Sequence, residues 1–307
     1  MRLIPLYAFA TVLCVALPAM AQNLDLDGTS GATPGGPPVP IQITASQAIN
    51  WSQTAHTVTA IGDAKAIRGD VTVTADQLIA HYVEVKGNSP ASGTTSPAVA
   101  APATATNTDN GPLGQGNAKL TELDAVGHVH IYTATDNAWG DHAIYSTDQQ
   151  VLVLTGQNLK LTTPKDIVTA RDSIEYYTAQ HKAIARGDAK IISADGRTIS
   201  ADVIIGYFSA QPGNQAGQAS GGGLEKVDAI GNVVITTKAD TASGDKGVYL
   251  PATGEARLAG NVRIIHNGNQ LNGSDALVNV KTGTATLLAA PGGQVSGVIL
   301  PGSGKTK

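Results

Sequence analysis

Cysteine is nearly absent: of 307 residues only Cys14 carries a thiol. One cysteine excludes an internal disulfide framework and a zinc site built on several thiolates. Aromatic residues are scarce, with two Phe and two Trp, so a core has to be assembled from Val, Ile, Leu and Ala. Charged residues make up 14%, well below the roughly 25% of an average soluble chain. Hydrophobic content, at 42%, is near normal, so this is not a charge-rich disordered chain. The formal net charge is −4. No basic excess is present to meet a phosphate backbone, and nucleic acid is excluded as a partner. Stretches with a 3.6-residue apolar period are missing as well, which argues against amphipathic helices.

What is present begins with a leader. Residues 1–21 carry Arg2, an apolar run from Leu3 to Leu17 and the small-x-small triplet Ala19-Met20-Ala21. This is the pattern of a cleaved secretory signal peptide. The run is short for the ~20 residues of a membrane span, and Leu13 before Cys14 does not suit lipidation. Residues 22–40 read as a flexible arm. Two low-complexity stretches, 87–117 and 209–223, read as disordered insertions. Residues 291–307 read as a Gly/Pro-rich tail, which leaves 41–290 as one folded domain.

Setting the insertions aside exposes a repeat. The cluster AIGDAKA at Ala60 recurs as AVGHVHI at Ala125, LTGQNLKL at Leu154, ARGDAKI at Ala185, AIGNVVI at Ala229 and LAGNVRI at Leu258. Its glycines are Gly62, Gly127, Gly156, Gly187, Gly231 and Gly260, about 30 residues apart once the insertions are removed. A second marker keeps phase. Asp76, Asp141, Asp172, Asp202, Asp245 and Asp275 follow those glycines by 14, 14, 16, 15, 14 and 15 residues. Between the markers apolar and polar residues alternate, and turn residues such as Asp195-Gly196 and Asn267-Gly268 separate the runs. The spacing predicts strands of 5–8 residues, with each repeat glycine at a bend or bulge. Such units cannot bury an apolar face alone and must stack on their neighbours. The fold class is therefore all-β, an elongated antiparallel folded-over sheet.

The segments GDHAIYSTDQQVLVLTGQNLKL (140–161) and GDKGVYLPATGEARLAGNVRIIHNGNQLNGSDALVNVKTGTATL (244–287) resemble the OstA-like periplasmic family, which includes LptA and the N-terminal domain of LptD. The resemblance covers roughly Ile41 to Ala290. Length and a cleavable leader favour the LptA-like branch over the LptD-like and LptC-like ones. It implies a β-jellyroll shaped as an open V-shaped trough. It also implies that lipopolysaccharide is carried across the periplasm, with molecules joined end to end between an LptC-like inner-membrane protein and an LptD-like outer-membrane protein. Neither enzymatic activity nor a cofactor is expected.

A lipid carrier needs an apolar interior free of specific hydrogen bonds. Positions two and four after the glycines are candidate inward residues: Ala64, Ala66, Val129, Ile131, Ala189, Ile191, Val233, Ile235, Val262 and Ile264. Leu78, Ala143, Tyr145, Ile174, Tyr176 and Tyr249 follow the aspartates in the same way. The alternative is that they form a closed, dry core. His128 and His130, with Asp141 and His142, have the residue types of a metal site, but no ligand set recurs and the reading preferred is a solvent-facing pair on an exposed strand, with no metal. Repetition of the aspartates in every unit points to a structural role in a turn or bend, not to paired catalytic carboxylates. Trp51 and Trp139 fit gap-filling near strand ends. Two other readings remain: an exported structural β-solenoid without lipid, and an enzyme on such a scaffold, which would need the acids gathered in one cleft.

Overall fold

A computed structural model of the chain describes residues 41–84, 118–209, 224–238, 240–266, 269–279 and 284–298. The expected signal peptide, the N-terminal arm, the insertion 87–117 and nearly all of 209–223 lie outside the described residues.

The period-2 stretches form one sheet of 18 strands in which all pairing is antiparallel and mostly between sequence neighbours. β1 (Gln42–Thr44) and β2 (Ala48–Ser52) lie in line along one side of β3 (Thr57–Arg68). From there the chain meanders through β4 (Val71–Glu84), β5 (Ala118–Tyr132) and β6 (Asn137–Ser146). Next come two interrupted strands. β7 (Val151–Thr155) and β8 (Leu159–Thr162) pair with β6, and β9 (Asp166–Ala170) and β10 (Ser173–Tyr177) pair with β8 and β7. The meander resumes with β11 (Lys182–Ser193), β12 (Thr198–Phe208), β13 (Leu224–Thr236), β14 (Asp240–Leu250), β15 (Glu255–His266) and β16 (Asn269–Asn279). β17 (Thr284–Leu288) and β18 (Ser296–Val298) line the far side of β16. β18 falls in the stretch expected to be a free tail. Among the described residues no pairing joins β1/β2 to β17/β18, so the sheet keeps two open edges.

Several strands are longer than the 5–8 residues expected, up to 15 in β5, because the repeat glycine interrupts a strand without ending it. At Gly62-Asp63, Gly127-His128, Gly187-Asp188, Gly231-Asn232 and Gly260-Asn261 both residues have positive φ. Glycine adopts that region freely and other residues at a cost. In each case the register to the next strand slips there: Ile61 pairs with Gln77 but Ala64 with Ala75, so two residues oppose the single Asp76. This is a β-bulge, which bends the strand and sharpens its twist.

The bulges sit on alternate strands, β3, β5, β11, β13 and β15, and form a line along which the sheet folds over. One wall carries Val58, Leu78, Leu123, Tyr145, Leu154, Ile204 and Tyr249. The other carries Ala64, Val73, Val129, Leu161, Ile191, Val233 and Val262. All are buried in one continuous apolar cluster. The result is the elongated antiparallel folded-over sheet that the sequence pattern predicts, consistent with the β-jellyroll trough that the family resemblance implies.

Candidate functional site: an apolar trough with a hydrogen-bonded spine

The structure places fifteen of the sixteen candidate inward residues in the buried core, and Ile174 is half-buried against it. They do converge on one interior. A cavity of about 80 Å³ is lined from the first wall by Leu152, Leu154, Tyr176 and Phe208 and from the second by Ile131, Leu161, Val168 and Ile191. A second cavity, of about 40 Å³, lies between Val227, Tyr249 and Leu258 of the first wall and Val233, Ile235 and Ala242 of the second. Both are far smaller than the roughly 300–1,000 Å³ of a pocket that holds a small molecule. The side chains of the two walls pack into one apolar cluster. Glu175 borders the larger cavity. Burial alone would raise its carboxyl, but hydrogen bonds donated by Arg186 Nε (2.7 Å), Ser173 Oγ (2.8 Å) and Tyr177 Oη (2.9 Å) outweigh that and hold it below the usual range.

The repeat aspartates do not gather in a cleft. Each packs against the glycine of the following unit: Asp76 at Gly127, Asp141 at Gly156, Asp172 at Gly187, Asp202 at Gly231 and Asp245 at Gly260. A Cβ at any of these glycines would come within 3.0 Å of the aspartate. The carboxylate then accepts a hydrogen bond from the residue after the glycine, or pairs with it. Asn232 Nδ2 donates to Asp202 (3.0 Å) and Asn261 Nδ2 to Asp245 (2.8 Å). His128 Nδ1 lies 2.8 Å from Asp76 Oδ2, and the backbone N–H of Gln157 donates to Asp141 (2.6 Å). At the Gly187 bulge Arg171 bridges Asp172 and Asp188. The contacts line the fold axis strand after strand, an arrangement suited to holding a bend.

Asp275 departs from the pattern. Ala259 pairs with Asp275 and Val262 with Gly273, which puts Ser274, not Asp275, opposite the Gly260-Asn261 bulge. Ser274 donates to the carbonyl of Leu288 (3.0 Å), and Asp275 pairs with Arg257 (2.9 Å).

His128 and His130 do not share a ligand. His128 is taken by Asp76, whereas His130 is stacked between Tyr132 and Trp139, with ring centroids 4.7 and 4.9 Å away, and bonds to Asn137. Lys160 covers the other partner of that stack, Trp139. Trp51 stands half exposed on the edge strand β2, its indole N–H donated to Tyr82 Oη (2.6 Å).

A second recurring device is hidden in the hairpins. In Thr133…Asp136, Thr163…Asp166 and Thr237…Asp240 the threonine N–H donates to the aspartate carbonyl, and the aspartate N–H donates to the threonine Oγ1. All three aspartates are buried. Burial pushes the Asp136 and Asp166 carboxyls up, against the opposing pull of hydrogen bonds from Thr135 and Ser193 respectively. The T-x-x-D spacing was available as a signal in the sequence.

A family model described as LptA/(LptD N-terminal domain) LPS transport protein matches residues 42–182 and 172–284. The chain belongs to this family. The match spans the meander from β1 to β16, and the family is one of transport proteins. Among solved structures, the chain is similar to LptH from Pseudomonas aeruginosa, titled the LptA homologous periplasmic component of the conserved lipopolysaccharide transport device, at 19% identity and a TM-score of 0.35, covering 44% of this chain and 95% of that one. No curated protein matches.

Proposed function

We propose that this chain is a periplasmic lipopolysaccharide carrier, which holds lipid A acyl chains in its trough. In this reading it passes lipopolysaccharide from an LptC-like inner-membrane protein to an LptD-like outer-membrane protein, with copies joined end to end. The observation that carries the reading is the interior lined from both walls by aliphatic residues, within a fold that belongs to a lipopolysaccharide-transport family. Small aliphatic side chains hold an acyl chain by area alone, so a lipid can advance past them without breaking hydrogen bonds. The fold-over also suits the task. Walls joined only along the bulge line can separate at their free rims and enlarge the two small cavities. At the two ends, β1/β2 and β17/β18 present unpaired backbone groups, and Trp51, Ile49 and Val298 are at least half exposed there. Such edges accept another strand.

The test is a photo-crosslinking scan with lipopolysaccharide at Val129, Ile131, Val233 and Ile235, and at the outward Val126 and Ile230 for contrast. Crosslinks at the first four and not at the last two are expected. Failure of all four while the partner complex is assembled would remove the trough as the lipid path.

A further inference from the structure

The outer face of the first wall carries a cluster that the lipid reading does not use. His81 on β4, Glu122 and Asp124 on β5 and His142 on β6 meet across three neighbouring strands. His81 pairs in register with Glu122, and Asp124 lies diagonally between His81 and His142. The Nε2 of His81 is 3.5 Å from Asp124 Oδ2, and the Nε2 of His142 is 3.9 Å from Asp124 Oδ1. Ligand atoms of His81, Glu122 and Asp124 all lie within 4.8 Å of one another. Asp124 Oδ1 is buried and has no hydrogen-bond partner, a costly condition for a carboxylate oxygen.

We propose that His81, Asp124 and His142 form a site for a divalent transition-metal cation such as Zn²⁺, with Glu122 as a fourth donor. Two neutral imidazoles and two carboxylates match the nitrogen and oxygen donors that Zn²⁺ prefers. At bonds of about 2.0–2.2 Å, tetrahedral donors stand roughly 3.3 Å apart; the His81–Asp124 contact, at 3.5 Å, is near that spacing, and His142, at 3.9 Å from Asp124, has to draw in. Both imidazoles turn Nε2 toward one carboxylate, and a cation there would satisfy its orphaned oxygen. The half-exposed histidines leave the site open to solvent. A bound ion would staple β4, β5 and β6 on the face opposite the trough, and the proposal stands whether or not the trough carries lipid.

Calorimetric titration of the untagged chain with ZnCl₂ should give one ion per chain, and Co²⁺ in its place should show the visible absorption of a tetrahedral site. His81→Ala, His142→Ala and Asp124→Asn should each weaken binding by about a hundredfold or more, the upper end of what even outer-shell changes cost. His128→Ala should leave it unchanged. Zinc-edge anomalous scattering from crystals of the unaltered chain needs no variant and should place a peak between His81 and His142. No stoichiometric binding, binding that survives any of the three ligand substitutions, or a peak elsewhere would overturn the proposal.

Discussion

The interior units of the repeat and the last unit differ in one respect. From Asp76 to Asp245, every aspartate stands against the glycine of the unit that follows it. The last one, Asp275, has no following bulge to serve. There the register has moved by one residue, Ser274 has taken the place opposite the bulge, and the aspartate has turned to Arg257. The other end mirrors this. Gly62 has no preceding repeat aspartate, and Ser46 and Gln47 occupy its neighbourhood, donating backbone N–H groups to the carbonyls of Gly62 and Ile61. The aspartate therefore belongs functionally to its successor. The glycine–aspartate phase is kept where a bend must be transmitted from one strand to the next and relaxed where the transmission stops.

The sharpest way to break this comparison is to add a Cβ inside the ladder and at its end. Gly231→Ala would force an L residue into the left-handed region at about 1–2 kcal/mol. It would also drive the new methyl into Asp202 and disturb a charged hydrogen bond worth about 1–2 kcal/mol at this exposure. A total loss of about 2–4 kcal/mol in urea unfolding is expected from these two terms. Gly62→Ala incurs the same backbone strain, but its methyl meets the side chains of Ser46 and Gln47 in the bend between the edge strands β1 and β2, which can yield. Its loss should stay near the strain term, about 1–2 kcal/mol. Equal losses at the two sites would show that the carboxylate contact contributes nothing.

Removing the acid tests the same point with a smaller effect. Asp202→Ala deletes the acceptor of both Asn232 hydrogen bonds and should cost about 1 kcal/mol. Asp275→Ala removes a partly exposed ion pair and should cost about 0.5 kcal/mol or less. If Asp275→Ala were the more damaging, the last unit would have to be regarded as an intact rung.

The inward faces were legible in the sequence because a strand has a strict period of 2, so counting from a fixed glycine identifies Val129, Ile131, Val233 and Ile235 as core. The glycines were legible because their positions combine positive φ with a neighbouring side chain less than 3 Å from where a Cβ would stand. The side-chain partner of each aspartate was not. Counting along the chain ties Asp202 to Gly187, 15 residues before it, and the register does set it opposite that bulge, but its carboxylate packs on Gly231 of β13. The slip at Asp275 was invisible for the same reason, since a spacing of 15 also occurs at Asp202, where the hairpin absorbs the extra residue. Long-range juxtaposition hid the outer cluster too. His81 and His142 are 61 residues apart and share no local motif, while the conspicuous His128-x-His130 pair is divided between an aspartate and an aromatic stack. The walls' contact could not be read at all, because residues that line a trough and residues that fill a core share one alternation.

The smallest effect distinguishes one interior rung from its equals. Asp202 and Asp245 are met by Asn232 and Asn261, which do not titrate, whereas Asp76 is met by His128. The hydrogen bond to Asp76, and then the charge of that carboxylate, raise the imidazole above its ordinary value, with Asp141 adding to the effect. A group whose folded-state pKa is raised contributes stability that is complete below its unfolded value, about 6.5 for histidine, and lost as pH rises through the folded value. The β4–β5 bulge should therefore loosen just above that point, while the β13 and β15 bulges stay unchanged. His128→Asn installs the residue that the other two rungs use. The difference in unfolding midpoint between the parent chain and this variant should shift in the variant's favour as pH rises from the ordinary imidazole value toward mild alkalinity, whatever the remaining histidines do. Amide exchange at Val129 and His130 should quicken over the same interval in the parent chain alone. A difference that stays flat with pH would mean that His128 holds Asp76 as a neutral donor, and that all the rungs are electrostatically alike.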